Sequence, residues 1–304
     1  MPAKIFVSCG QANAAERETA RRIKERLTHQ GFEVYVAIQA QSVEDVNSGI
    51  IRQLKNSDYY VFVDFRREAL GPEADANRGS LFTHQELAIA YMSGFEHVVF
   101  FQEKGVKLEG LLRYMGANPA EFETHNQLLE LIENSIRDRR WNVHYSRHLI
   151  ATGPRWSSGI LSYGDLIGRF LYIDIENRRS DLAAYDTVAR LEFIRCRGGD
   201  KRPCPNRSHL KITGQPGFTQ IIWPSNHGAF DLLVVARDQP SNVFLNNALD
   251  VTPKTPIIER SGSYALEYAV LAKEFPTLYF TIDLDLTGDL DTTTAKLGET
   301  SRGA

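Results

Sequence analysis

Between residues 4 and 136, short runs of β-branched and aromatic residues alternate with stretches whose apolar positions recur every three or four residues. That alternation of periods is the signature of a parallel sheet covered by helices, because parallel strands need crossover connections and helices supply them. KIFVS (4–8), FEVYVAI (32–38), YYVFVDF (59–65) and HVVFFQ (97–102) read as strands. Residues 15–29 form a charged helix with Ala20, Ile23 and Leu27 on one face, and Gly31 follows where a C-terminal cap belongs. The run 42–57 reads as a second helix capped by Ser42, with Asp45 three residues on. A third helix opens between Ser80 and Thr83 and runs to 94, and residues 125–136 make a closing helix. Four strands and about four helices predict one doubly wound, flavodoxin-like α/β unit over 1–136.

Beyond Arg137 the texture changes. Residues 137–168 carry several arginines, Trp141, Trp156 and scattered glycine and serine, which predicts a linker that packs against something rather than a free tether. Residues 169–290 then alternate apolar and polar positions in six runs separated by turn clusters such as RGGDKRPCPNR and WPSNHGA. Strands at hairpin spacing without a long helix predict an antiparallel β-sandwich of immunoglobulin-like size. The tail, 291–304, is rich in threonine, glycine and charge and is expected to be disordered.

A chain of 304 residues with 42% hydrophobic content can bury a core in each of two domains. Its net charge of −3 gives no global basic field, so nucleic acid is not an expected partner. Neither a signal peptide nor an apolar run of about 18 residues is visible, and the expectation is a cytoplasmic protein that does not cross a membrane. Cys9, Cys196 and Cys204 are too few for a disulfide framework. Cys196, Cys204 and His209 flank one loop but lack a fourth ligand; plain loop cysteines are the alternative reading, and no metal is expected.

In a doubly wound sheet, ligands collect outside the carboxyl ends of the strands, where Ser8 and the segment preceding Glu86 fall. The strand end KIFVS followed by Cys9-Gly10-Gln11 is similar to the opening box of TIR domains, and residues 31–65 resemble their run of strand, loop, helix and strand. Most specific is Ser80-Leu81-Phe82-Thr83-His84-Gln85-Glu86-Leu87. Catalytic TIR domains open the helix after the third strand with serine, an aromatic two residues on, a glutamate four further, then leucine. Phe82 stands where tryptophan is usual, and Thr83 where cysteine is usual. Residues 1–136 thus resemble the bacterial NAD-cleaving TIR family; the rest of the chain shows no comparable likeness.

The resemblance implies cleavage of the nicotinamide–ribose bond of NAD by hydrolysis or cyclisation, with Glu86 catalytic and Ser8, Cys9, Gly10, Gln11, Ser80 and Phe82 lining the nucleotide site. It implies no cofactor beyond NAD as substrate, self-association through the loop 37–42, and, by analogy with fused bacterial relatives, antiphage defence with the β-rich half engaging a protein partner. One departure is that several relatives carry an arginine after the box serine; Arg66, Arg67 and Arg78 are the substitutes available here, or else plain surface charges. Thr83-x-x-Glu86 also fits a capping box, in which Glu86 would serve its own helix and the domain would be a non-catalytic scaffold signalling by contact. A nucleoside deoxyribosyltransferase-like enzyme is a third reading, although the acidic residues of that family are missing between Asn77 and Gln85. His84 is a conceivable base or a solvated first-turn histidine, and Cys9 a conceivable nucleophile or a lining residue.

Overall fold

The computed structural model describes residues 1–37, 43–71, 76–163, 166–205, 207–248 and 255–303. The expected cap Ser42 and all of the loop 37–42 except Ala37 lie outside them. The chain divides into two compact units, Pro2–Ser146 and Arg147–Ala304.

The first unit runs β1 (Lys4–Cys9), α1 (Ala14–His29), β2 (Glu33–Val36), α2 (Val43–Lys55), β3 (Tyr59–Asp64), α3 (Leu81–Met92), β4 (Val98–Glu103), α4 (Gly110–Tyr114), β5 (Ala120–Phe122) and α5 (His125–Asp138). All sheet neighbours are parallel, in the order β2-β1-β3-β4-β5. The sheet has one strand more than the sequence pattern predicts. β5 spans three residues, too few to show a period.

Alternation along the strands sorts their side chains into two layers. Ile5, Val7, Val61 and Val63 pack with Ala20, Ile23 and Leu27 of α1 and with Leu128, Ile132 and Ile136 of α5. Phe6, Tyr60 and Phe62 pack on the other side with Leu54 of α2, Leu87 and Ala90 of α3 and Leu112 of α4. At the end of α1 the Gly31 amide bonds Thr28 O and the Phe32 amide bonds Leu27 O, and Gly31 takes the left-handed φ of +96° that this closing turn requires. Because β1 lies between β2 and β3, the chain reverses its direction of winding there. The reversal opens a crevice above the carboxyl ends of β1 and β3, the usual ligand position of such sheets.

Residues 137–168 are not one linker. Trp141 stacks on Tyr59 at 4.2 Å and Val143 O accepts the Ala3 amide, so the chain up to Ser146 completes the first core. The remainder already supplies strands of the second unit.

These are β6 (Leu149–Ala151), β7 (Arg155–Trp156) and β8 (Leu161–Tyr163), followed by β9 (Leu166–Asn177), β10 (Ala184–Cys196), β11 (Lys201–Pro203), β12 (Gln220–Ile222), β13 (His227–Ala236), β14 (Val243–Phe244), β15 (Gly262–Leu271), β16 (Leu278–Leu286) and β17 (Thr294–Arg302). One antiparallel sheet is ordered β11-β10-β15-β16-β17 with β12 on β10; the other is β14-β13-β9-β6 with β7 and β8 on β9. Leu171, Ile173 and Phe230 of one sheet and Leu191, Tyr268 and Ile282 of the other share a single core. The tail expected to be disordered is instead strand β17, paired with β16 from Leu278↔Arg302 to Asp285↔Thr294. No described helix is long and apolar enough to cross a membrane.

Candidate functional site

Strand β1 ends with two side chains on opposite faces of the sheet. Ser8 faces the α3 layer and is fully buried, and its hydroxyl donates to Glu86 Oε2. Glu86 lies in the second turn of α3, half-buried. Burial disfavours its charged form and pushes its pKa up from an ordinary 4.5 to about 7, while the Ser8 hydrogen bond pulls the other way.

Glu86 does not cap its own helix. The N-cap is Ser80, whose side chain makes no capping bond; Thr83 Oγ1 instead donates to Ser80 O at 2.8 Å. Thr83 is therefore already inside the first turn and the capping-box register does not apply. Phe82, one turn before Glu86 and on the same side of the helix, exposes 62% of its surface. An apolar ring and a carboxylate thus stand together at the helix start.

The start of α3 is fixed by a residue that sequence reasoning passed over. Asp64, the last residue of β3, is fully buried and accepts the Ser80 amide at 2.7 Å and His84 Nε2 at 2.9 Å. A carboxylate at the positive end of α3 also complements the helix dipole. Gly79 is needed beside it, since a Cβ there would fall 1.9 Å from Asp64 Oδ2. His84 is half-buried, with its ring edge-on to Phe62 at 5.4 Å and its Nε2 on Asp64, so it is not a freely solvated first-turn histidine. A terminal aspartate on an apolar strand was the available signal for Asp64. Nothing in the sequence said which amides it would meet.

The other expected site residues separate. Cys9 points into the α1/α5 layer, and burial pushes its thiol well above the ordinary range, which removes it as a nucleophile. Gly10 makes room for Arg67: a Cβ there would meet Arg67 Nη2 at 2.1 Å. Gln11 Nε2 donates to Ala37 O at 2.6 Å, tying the loop after β1 to the end of β2. Ser80 is buried, and its contribution is the backbone amide.

The three candidate phosphate-binding arginines all face carboxylates. Arg67 forms a two-pronged pair with buried Glu16 at 2.6 and 2.8 Å, Arg66 pairs with Glu103, and Arg78 with Glu109. In the second unit Cys204 is buried in the core and Cys196 is exposed. Among the described residues no three His, Cys, Asp or Glu side chains gather as a metal set.

No protein-family description matches the sequence, and no curated protein does. Among solved structures, a CMP N-glycosidase from Clostridium botulinum aligns over 43% of this chain and 98% of its own, with 14% identity and a TM-score of 0.31. A β-glucosidase from Erythrobacter marinus aligns over 100% of this chain and 47% of its own, with 11% identity and a TM-score of 0.29. For a β-glucosidase from Listeria innocua the shares are 93% and 45%, the identity 12% and the TM-score 0.31. The chain therefore spans about half the length of these two glucosidases. Likenesses of this size assign neither a fold family nor an activity.

Chemically, the arrangement offers one carboxylate whose burial is offset by a single hydroxyl, at the mouth of a parallel sheet, beside an exposed aromatic ring. Among the described residues, burial and the Ser8 hydroxyl are what set its charge state. Such a group gains most from a positively charged ligand.

Proposed function

We propose that the first unit cleaves the nicotinamide–ribose bond of NAD, with Glu86 as the catalytic carboxylate. The observation that carries this reading is the Ser8–Glu86 hydrogen bond, which holds the carboxylate at the strand ends instead of on its own helix start. The bond that breaks joins a ribose carbon to a pyridinium nitrogen. Its electron pair leaves with nicotinamide, which becomes neutral and needs no proton from an acid. Ordinary glycoside hydrolysis, by contrast, calls on two carboxyl groups. The positive charge passes to the ribose as an oxocarbenium ion, and an ionised Glu86 beside it lowers the barrier electrostatically. Water then captures the sugar and releases a proton, or the adenine of the same molecule closes a ring. A cationic substrate also favours the ionised form of a carboxylate that burial would otherwise keep protonated.

In this reading Phe82 meets the nicotinamide ring, while Ser8, Gly10, Gln11 and Ser80 shape the nucleotide cleft. The likeness of residues 1–136 to TIR domains supports it and adds self-association as the means of activation. The β-rich unit offers a groove of about 700 Å³ lined by Arg195, Arg197, Lys296, Asp283 and Asp285, which suits recognition of a charged protein partner.

A second reading is favoured by the raised pKa of Glu86: a carboxyl that is half protonated near neutrality can also serve a nucleoside whose neutral base needs a proton on leaving. The deciding experiment incubates the full chain with NAD, with and without a crowding agent, beside Glu86→Gln and a parallel mixture of deoxynucleosides. Nicotinamide release by the parent, reduced about 100-fold to 1000-fold in the variant, is the expected result. Base release from the deoxynucleosides alone selects the second reading. Inertness toward both under crowding leaves a scaffold that signals by contact.

A further inference from the structure

Tyr60 stands on β3 in register with Phe6, two pairs along from Ser8↔Phe62, so Tyr60 and Ser8 are diagonal neighbours on the α3 face of the sheet. Its ring is locked by Phe6, stacked at 5.7 Å, and by Phe95, tilted at 5.7 Å. The hydroxyl at its tip is fully enclosed and makes no hydrogen bond of normal geometry, which is a costly state for a buried O–H. Two groups act on that hydroxyl electrostatically: the negative charge of Glu86 and the neighbouring Ser8 hydroxyl.

Counting protons assigns the direction. Ser8 has one, and gives it to Glu86 Oε2. Among the described residues no donor meets its lone pairs, while the Tyr60 proton lacks an acceptor. We propose that Tyr60 is a positioning residue for Glu86, donating to Ser8 Oγ so that Ser8 directs its own proton at the carboxylate. The role of Glu86 in this chain rests on its assignment as the catalytic carboxylate. The relay, Tyr60 to Ser8 to Glu86, polarises each bond in the same sense and favours the ionised carboxylate. Among the described residues, the other ionisable groups that feel the charge of Glu86 are Cys9 of β1 and Tyr35 of β2. Burial keeps both protonated and neutral at neutral pH, so neither adds a second negative charge beside Glu86.

The test reads the carboxyl itself and does not depend on turnover. In the full chain labelled with ¹³C-glutamate, the Glu86 carboxyl resonance is assigned by its absence in Glu86→Gln and titrated with pH in the parent, in Tyr60→Phe and in Tyr35→Phe. Tyr60→Phe removes one oxygen and keeps the stacked ring. It is expected to move the Glu86 midpoint upward by on the order of half a unit. Tyr35→Phe is expected to leave the midpoint in place. An unmoved or lowered midpoint in Tyr60→Phe, with its thermal transition intact, overturns the relay. If the parent fails to cleave NAD, the functional reading falls by itself and the titration still decides this one.

Discussion

The Asp64 carboxylate takes the Ser80 amide at 2.7 Å, so the end of strand β3 dictates where helix α3 begins and thereby where Glu86 stands. Gly79 is the tight point of that junction, because an added methyl would fall on Asp64 Oδ2. The carboxylate cannot swing aside without also abandoning His84. Gly79→Ala is therefore expected to cost about 2 kcal/mol or more of stability and to lower activity more than the lost folded fraction explains. Urea unfolding and specific activity on the same preparation separate the two effects.

The charge state of Glu86 sets the pH response. The proposed mechanism needs the carboxylate ionised, and burial places its midpoint near 7. kcat/KM for NAD should rise with pH along one ionisation centred on about 7 and level off above it. A profile that is flat or falling from pH 6 to 8 would mean that Glu86 acts as an acid or not at all.

The same shift has a stability consequence of defined sign. Glu86 binds its proton more tightly in the folded chain than in the unfolded chain, so its protonated form stabilises fully below about 4.5, and that contribution is lost as pH rises through about 7. Glu86→Gln keeps a neutral side chain at every pH. It should be more stable than the parent by about 2 kcal/mol at pH 8, with the gap closing toward pH 4. Melting curves of both proteins across that range test this, and a gain in stability paired with a loss of activity is the pattern expected of a site residue.

Arg67 is best tested against the phosphate-binding role that the sequence suggested. Its guanidinium embraces Glu16, which is buried and otherwise receives the Ala12 amide and Asn13 Nδ2. Removing one partner strands a buried charge, and Arg67→Ala should cost about 2–3 kcal/mol in urea unfolding. A raised KM for NAD at unchanged stability would instead make Arg67 a ligand-binding residue.

Much of the first unit was legible because its strands and helices advertise themselves by period. Ala20, Ile23 and Leu27 mark the buried face of α1, and Phe6, Tyr60 and Phe62 mark one face of the sheet. β5 and α4 were not, since three or five residues carry no period. At the site, Ser8 falls at a strand end that the pattern shows, while Glu86 was singled out by the likeness of residues 80–87 to the TIR helix start. Asp64, Tyr60 and the carboxylate partners of the arginines were not, because each owes its meaning to neighbours far off in sequence, as Arg67 does to Glu16. Composition misled most at the terminus, where TAKLGETSR reads as solvated coil yet needs only one apolar side, offered by Ala295 and Leu297, to pair along β16.

That terminal pairing can be checked directly. β17 covers the edge of β16, and Thr293, which leads into it, is buried, donating to Asp289 O at 2.7 Å and accepting the Thr287 amide. Without β17, β16 would present its unpaired backbone groups and alternating apolar residues as an open sheet edge, a template for association between chains. A chain ending at Leu290 is expected to aggregate or to lose cooperative unfolding of the second unit, while the first keeps its own transition. In the intact protein, amides of residues 294–302 bonded to β16 should exchange at least about 100-fold more slowly than those of an unstructured peptide. Free exchange there, with a truncated chain as stable as the parent, would return the segment to the disordered tail that its composition suggests.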